Sequence, residues 1–290
     1  MMHYPSTTLG LLLGKASANC TRSFLKSAAN DYVSAQRSGN LSTFLVHTAP
    51  KLDYTENNVA LPITHSTLAT PNKIDYHYSA YDTSRCATFT ELVAATDPHP
   101  YIIHTRMEFA PNDGKASFIE SVVTDRGDWL FNATTALEYI TSESWSPIPA
   151  NKQDSREVVQ SIGDLYFDRF GNASVVVPWG PPCYRVEGGL FANGTLHNDT
   201  GVCEQVYPST IHVPYRRYVV DEEVGVVDVF VGFPGLDRTQ GKDPMPDSHM
   251  FRIEDGRIKF LHTASSCVVP GCGEFDPDHP FENAGAIDPN

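Results

Sequence analysis

The chain is short of positive charge. Its 290 residues carry 21 Lys and Arg against 35 Asp and Glu, a formal net charge of -14 with a pI near 5.1. Nucleic acid and anionic membrane surfaces both need a basic patch that this composition does not supply, so neither is expected as a partner. Long hydrophobic runs are also missing: beyond the first residues nothing is apolar for long enough to span a bilayer. None of the six cysteines stands in a C-x-x-C pair of the kind that binds structural zinc. There is no H-E-x-x-H, G-x-S-x-G, P-loop or G-x-G-x-x-G, which removes the common zinc-protease, serine-hydrolase and nucleotide readings. His99 and His104 in "DPHPYIIHT" match no established metal spacing, and no cofactor is expected. A small-molecule ligand or substrate is the partner that remains, with a homodimer left open.

The composition otherwise suits a folded protein, with enough apolar residues for one large core or two ordinary ones. Six N-x-[ST] sequons, at Asn19, Asn40, Asn132, Asn172, Asn193 and Asn198, suggest passage through a secretory pathway. The opening "MMHYPSTTLGLLLGKASANC" has a short apolar run and an A-x-A-like "ASA", but no Lys or Arg in its first part; residues 1–19 read as a weak signal peptide or an unstructured start. A secreted protein, or one in a secretory-pathway lumen or vacuole, is expected. In that setting the cysteines read as disulfides. Proximity favours Cys183 with Cys203 and Cys267 with Cys272, leaving Cys20 with Cys86, although spacing alone does not choose among the pairings.

The chain also repeats itself. "SFLKSAANDYVSAQRSGNLS" (23–42) and "SREVVQSIGDLYFDRFGNAS" (155–174) align without a gap as two helices, the first burying Leu25, Ala28, Ala29, Tyr32 and Val33, the second Val158, Val159, Ile162, Leu165 and Tyr166. Both end in R-x-G-N-x-S, where Gly suits a C-cap. Further on, "HTRMEFAPNDGKASFI" matches "YRRYVVDEEVGVVDVF", aligning Arg106 with Arg217 and Gly114 with Gly225. A second hairpin is expected in each half, around Arg126-Gly127 and around Asp255-Gly256. Domains are therefore placed at 20–150 and 151–272, joined by "WSPIPANKQD", with an acidic, aperiodic tail at 273–290.

A helix feeding a curved antiparallel sheet, here in "YVSAQRSGNLS" leading to "LDYTENN", resembles the opening of SnoaL-like proteins. The stretches "DTSRCATFTEL", "TDRGDWLF", "VPWGPPCYRVEGG", "RRYVVDEEVGVVDVF" and "PDSHMFRIEDGRIKFLHT" resemble a fungal secreted-type family of unknown function on a tandem scaffold of this kind. The resemblance runs from about Cys20 to Cys272. It implies an α+β fold of two tandem cone-shaped, curved antiparallel sheets, each with packed N-terminal helices, the nuclear transport factor 2-like or ketosteroid-isomerase-like layout. It also implies pocket positions for Tyr54 and Glu56; the alternative is that Glu56 and Asn57 shape a turn. Ketosteroid-isomerase-like cyclases of fungal secondary metabolism are the nearest functional analogy, at the level of fold alone.

With Asp255 and Gly256 as turn residues, His249 faces His262, Phe251 faces Phe260 and Ile253 faces Ile258, which would bring two imidazoles together on the apolar face. The same rule at Arg126-Gly127 puts Glu120 at the place of His249 and Ala133 at that of His262. In "GVVDVFVGF", Asp228 is the one charge in an apolar run, on the face of Val226 and Phe230; a desolvated carboxylate there suits a general base. Arg217 and Tyr218 are candidates to hold developing negative charge or to pair with Asp228 structurally. Arg185 and Glu187 of "YRVEGG" are placed at the mouth of the second pocket, or form an ion pair; Trp129, Trp145 and Trp179 read as packing.

These residues point to an enzyme that carries out cofactor-free isomerisation, dehydration or cyclisation on a small apolar or polyketide-like molecule. Asp228, His249, His262 and Arg217 are its catalytic candidates, and Tyr218, Phe230, Phe251, Phe260, Arg185, Glu187, Tyr54 and Glu56 its binding candidates. A secreted ligand-binding or host-interacting protein without catalysis is the alternative, followed by an extracellular hydrolase or lyase of plant-derived compounds.

Overall fold

The computed structural model describes residues 20–96, 98–192, 203, 207, 209–234, 244–269 and 272. The N-terminal segment before Cys20, the tail after Cys272, and the sequons at Asn19, Asn193 and Asn198 lie outside the described residues.

The first half opens with α1 (Arg22–Ser38), which starts where the Thr21 hydroxyl accepts a hydrogen bond from the Phe24 N–H and stops at Gly39 in the left-handed conformation, φ 66°. Strands β1 (Thr48–Glu56), β2 (Val59–Ala60), β3 (Tyr76–Asp82), β4 (Ala87–Ala94), β5 (Tyr101–Phe109) and β6 (Ala116–Thr124) follow, in the sheet order β2-β1-β6-β5-β4-β3. After α2 (Ala133–Ile140), the second half repeats the plan with α3 (Arg156–Asp168), β7 (Trp179–Glu187), β8 (Leu190–Ala192), β9 (Arg217–Asp221), β10 (Val226–Phe233), β11 (Met245–Glu254) and β12 (Arg257–Ser265) in the order β8-β7-β12-β11-β10-β9. The architecture is α+β and mostly β. The sheets are mixed rather than antiparallel throughout, because β1 runs parallel to β6 and β7 parallel to β12.

Each helix covers one face of its own sheet. Leu25, Ala28, Tyr32 and Val33 of α1 pack on Leu92, Ile103, Met107 and Ile119; Val159, Ile162, Tyr166 and Phe167 of α3 pack on Val227, Val229, Phe251 and Leu261. The other faces of the two sheets meet in a third core, with Phe89, Ile102 and Val122 against Val226, Phe230, Met250 and Ala264, and α2 at its margin. Two arginine forks join the halves reciprocally. Arg22 at the start of α1 binds both oxygens of Asp221 at 2.8 and 2.9 Å, and Arg156 at the start of α3 binds both oxygens of Asp82 at 2.8 and 2.7 Å. The same two carboxylates accept the backbone N–H of Tyr81 and of Val220.

Several details of the repeat differ from the sequence alignment. The helices match two residues out of step with it: Ser155 caps α3 as Thr21 caps α1, so α3 buries Val159, Ile162, Gly163, Tyr166 and Phe167, while Val158 is exposed and Leu165 half-buried. Gly171 does not cap α3, which ends at Asp168 with Arg169 at the cap. Arg106 lies on β5 and Arg217 on β9, strands that occupy different places in their sheets. No hairpin forms at Arg126-Gly127, because Asn132 accepts the Thr135 N–H and starts α2 where a strand was expected.

Cys20 pairs with Cys86, Cys183 with Cys203 and Cys267 with Cys272. Among the described residues no helix is long and apolar enough to cross a membrane. The disulfides are compatible with an oxidising, secreted or lumenal setting. Asn40, Asn132 and Asn172 are exposed.

Candidate functional site

The expected histidine pair does not form. Ile253 faces Ile258 as the turn rule requires, but Lys259 is an extra residue on β12, so Arg252 faces Phe260, Met250 faces His262 and His249 faces Thr263. A one-residue bulge exchanges the faces of everything beyond it. The first half carries a bulge at the equivalent place, between Glu108 and Phe109 of β5. His249 consequently points at α3 and His262 at the other half of the molecule.

On the α3 side, three adjacent strands bring together a polar group that alternation along each strand dictates. Asp247 and His249 lie two apart on β11, Thr263 and Ser265 two apart on β12, and Arg185 and Glu187 two apart on β7; the register sets Asp247 beside Ser265, and His249 beside Thr263 beside Glu187. The His249 ring, 5% exposed, stands among Tyr166, Phe167 and Phe251, with Nδ1 3.3 Å from an oxygen of Asp247. Asp247 also accepts the Ser265 hydroxyl at 2.7 Å. Arg185, 5% exposed, has Nη1 3.5 Å from Glu187, whose other oxygen accepts the Trp129 indole N–H at 2.8 Å. Buried here without a hydrogen-bond partner are Nε and Nη1 of Arg185, one oxygen of Asp247, Nδ1 of His249 and the Thr263 hydroxyl. A buried polar atom left unpaired costs about 1–3 kcal/mol; on the seam Tyr78, Arg106, Glu143, Trp145, Asp228 and Arg252 each leave such an atom as well.

The same face of the first sheet has been filled in. Registers place Thr105, Ser121 and Glu56 where the second half has His249, Thr263 and Glu187, and Ile103 and Tyr54 where it has Asp247 and Arg185. There the Tyr32 hydroxyl bonds Thr105 at 2.6 Å, Thr105 bonds Ser121 at 2.8 Å and Gln36 donates to Tyr32 at 3.0 Å. Tyr54 donates to Glu56, which also accepts the hydroxyl and N–H of Thr67. Tyr54 and Glu56 thus satisfy each other.

The remaining candidates line the seam between the sheets. Asp228 accepts the Ser248 hydroxyl at 2.8 Å; Ser248 meets Nδ1 of His104 at 2.9 Å; Nε2 of His104 lies 3.3 Å from Glu91; Glu91 meets Nδ1 of His262 at 3.0 Å; and Nε2 of His262 meets Glu143 at 2.7 Å. Burial pushes the Asp228 carboxyl well above the usual carboxylate range. Burial also pulls the His262 imidazole down, but Glu91 and Glu143 outweigh it and raise it to about 10; against the same burial, His262 and His104 draw Glu91 down to about 2. Arg217 is paired with Glu120 across the seam, Nε to both oxygens at 2.9 Å, and not with Asp228; Glu120 holds Arg106 as well. Phe230 belongs to the seam core, and Phe260 packs on Trp145 and Tyr184 there. Tyr218 donates to Asp164 of α3 at 2.7 Å. Trp129 and Trp179 pack in the second core, although Trp129 also holds Glu187; Trp145 packs in the seam. His99 is exposed and bonds Asp125.

Of the sequence candidates, His249, Phe251, Arg185 and Glu187 therefore share one face, while Asp228, His262, Arg217, Phe230 and Phe260 share the opposite one. Sequence reading passed over Asp247, Thr263 and Glu91. Asp247 was within reach, since it lies two residues before His249 in "PDSHM"; Glu91 is a lone charge in an apolar run, the signal that had picked out Asp228.

A family model described as "Domain of unknown function (DUF8021)" matches residues 152–265. The match spans α3 and the whole of the second sheet. No curated protein matches the chain. Eleven chains of solved structures do. Among them the AclR chain from Streptomyces galilaeus is 13% identical, over 37% of this chain and 92% of that chain, at a TM-score of 0.27.

Proposed function

We propose that each half is a SnoaL-like cone, and that the second is a ligand site built for acid-base chemistry without a cofactor, moving a proton next to a carbonyl in a small, largely apolar molecule. The observation that carries this reading is the contrast between equivalent positions. Thr105, Ile103 and Tyr54, each packed or hydrogen-bonded in the first half, are replaced by His249, Asp247 and Arg185, which keep unmet hydrogen-bonding capacity in the second.

The chemistry follows from the arrangement. Asp247 beside Nδ1 orients the imidazole and favours the tautomer that leaves the far nitrogen to take up a proton. The aromatic wall of Tyr166, Phe167 and Phe251 excludes water and strengthens that interaction. This moves the base from Asp228, which faces the seam, to His249.

The test is hydrogen exchange. Cyclic and aryl ketones incubated with the protein in deuterium oxide should exchange the protons next to the carbonyl faster than in buffer, as followed by proton NMR. His249→Gln should lose about 100-fold or more of that rate while keeping its melting temperature. Binding without exchange in the native protein would favour the carrier reading; exchange that survives His249→Gln would remove the histidine from the mechanism.

A further inference from the structure

We infer that the molecule bound on this face is an acid, an aromatic or polyketide-like compound whose carboxylate is held by Arg185 while its body points toward His249. The inference rests on the reading of this face as a ligand site and narrows the class of ligand.

Arg185 is unusual among the buried arginines. The other two among the described residues each leave one nitrogen without a partner but hold acceptors with the rest, Arg106 donating to Glu120 and Glu108, and Arg252 to Glu254 and the Ser146 carbonyl. Arg185 has one acidic neighbour, Glu187, with one oxygen at 3.5 Å and the other accepting the Trp129 N–H. Nε and Nη1 of Arg185 remain without acceptors, on a face whose adjoining residues are Leu261, Phe251 and the Cys183 disulfide. A guanidinium is always charged and presents a planar fork. A carboxylate meets it with two oxygens and the opposite charge, whereas a ketone offers one neutral oxygen and leaves donors orphaned. The low local dielectric enlarges that difference.

The register also sets the ligand's length. Arg185 and His249 are separated by two strand spacings and two residues along the strand, roughly 12 Å between Cα atoms. A carboxylate at one end and an activated C–H at the other therefore belong on a molecule of one or two fused rings, or on a chain of similar length. Asp247 lies beyond His249, at the end of the face away from Arg185, so its charge does not oppose the carboxylate.

Isothermal titration with a matched pair, 2-naphthoate and 2-acetylnaphthalene, separates charge from shape. The native protein should bind the acid at least 10-fold more tightly than the ketone. Arg185→Met should abolish that preference and leave ketone affinity unchanged within about 2-fold, and Arg185→Lys should restore part of it. Thermal melts and the ketone itself report whether the variants remain folded. Equal affinity for acid and ketone in the native protein, or a preference that persists in Arg185→Met, would overturn the inference. Failure of both probes to bind would do the same, leaving ordered water as the occupant. Acid binding that depends on Arg185 in a native protein that exchanges no protons next to a carbonyl would sink the proposed chemistry and spare the carboxylate site, so the two readings fail separately.

Discussion

His262 sits between Glu91 and Glu143 with both ring nitrogens engaged, and it holds its proton far beyond the range of a free histidine. Its folded value of about 10 lies above the unfolded 6.5, so its contribution to stability is complete below about pH 6.5 and is lost as pH rises toward 10. Glu91 behaves in the opposite sense: about 2 when folded against 4.5 otherwise, it contributes above pH 4.5 and loses that contribution as pH falls toward 2. The His262 ring resonances should therefore not titrate between pH 5.5 and 8.5, and the urea midpoint should decline from pH 7 to 10 by less in Glu143→Gln than in the native protein. A His262 signal that titrates near 6.5 would contradict this arrangement. Nothing adjacent in sequence announces the network, because Glu91, Glu143 and His262 come from distant segments.

At the scale of elements, the bulge at Lys259 decides which histidine faces which core. Alternation along each strand was legible: His249 does share a face with Phe251 and Ile253, and Asp228 with Val226 and Phe230. The pairing between strands was not, because a turn rule counts residues and a bulge adds one without changing the turn. Deleting Lys259 should remove the bulge and leave the pairing beyond it as it is, Arg252 with Phe260, Met250 with His262 and His249 with Thr263, so that His262 keeps both carboxylates. We expect a loss of no more than about 3 kcal/mol in chemical denaturation, with the His262 resonances still not titrating between pH 5.5 and 8.5. A deletion variant whose His262 signal titrates near 6.5 would show that the ladder slips instead. The helix α2 carries the same lesson: Asn132 served as a sequon in the sequence and serves as an N-cap in the fold.

For the whole molecule, the reciprocal forks make the two halves one unit. Asp82 and Asp221 are fully buried at the start of symmetry-equivalent turns, and each is neutralised by the helix of the other half. Arg156→Ala should cost about 3 kcal/mol, since it leaves a buried carboxylate without its cation. Adding Arg22→Ala should split the single melting transition into two, one for each half, in calorimetry. A single sharp transition in the double variant would show that the apolar seam alone couples the halves. The two inner faces differ: the first is filled by the hydrogen-bonded Tyr32, Thr105 and Ser121 and leaves the Thr88 hydroxyl unpaired, while the second leaves atoms of Arg185, Asp247, His249 and Thr263 unpaired.

A helix opening each half, the alternation of faces along β10 and β11 and the internal repeat were legible in the sequence, because capping, alternation and spacing are local properties of a chain; the disulfides match the grouping by proximity, which spacing alone did not fix. The orientation of His249 against His262, the partner of Arg217 and the burial of Asp228 in the seam were not legible there. They depend on one inserted residue in a ladder and on two sheets meeting back to back, and such contacts exist only once segments distant in sequence have packed together.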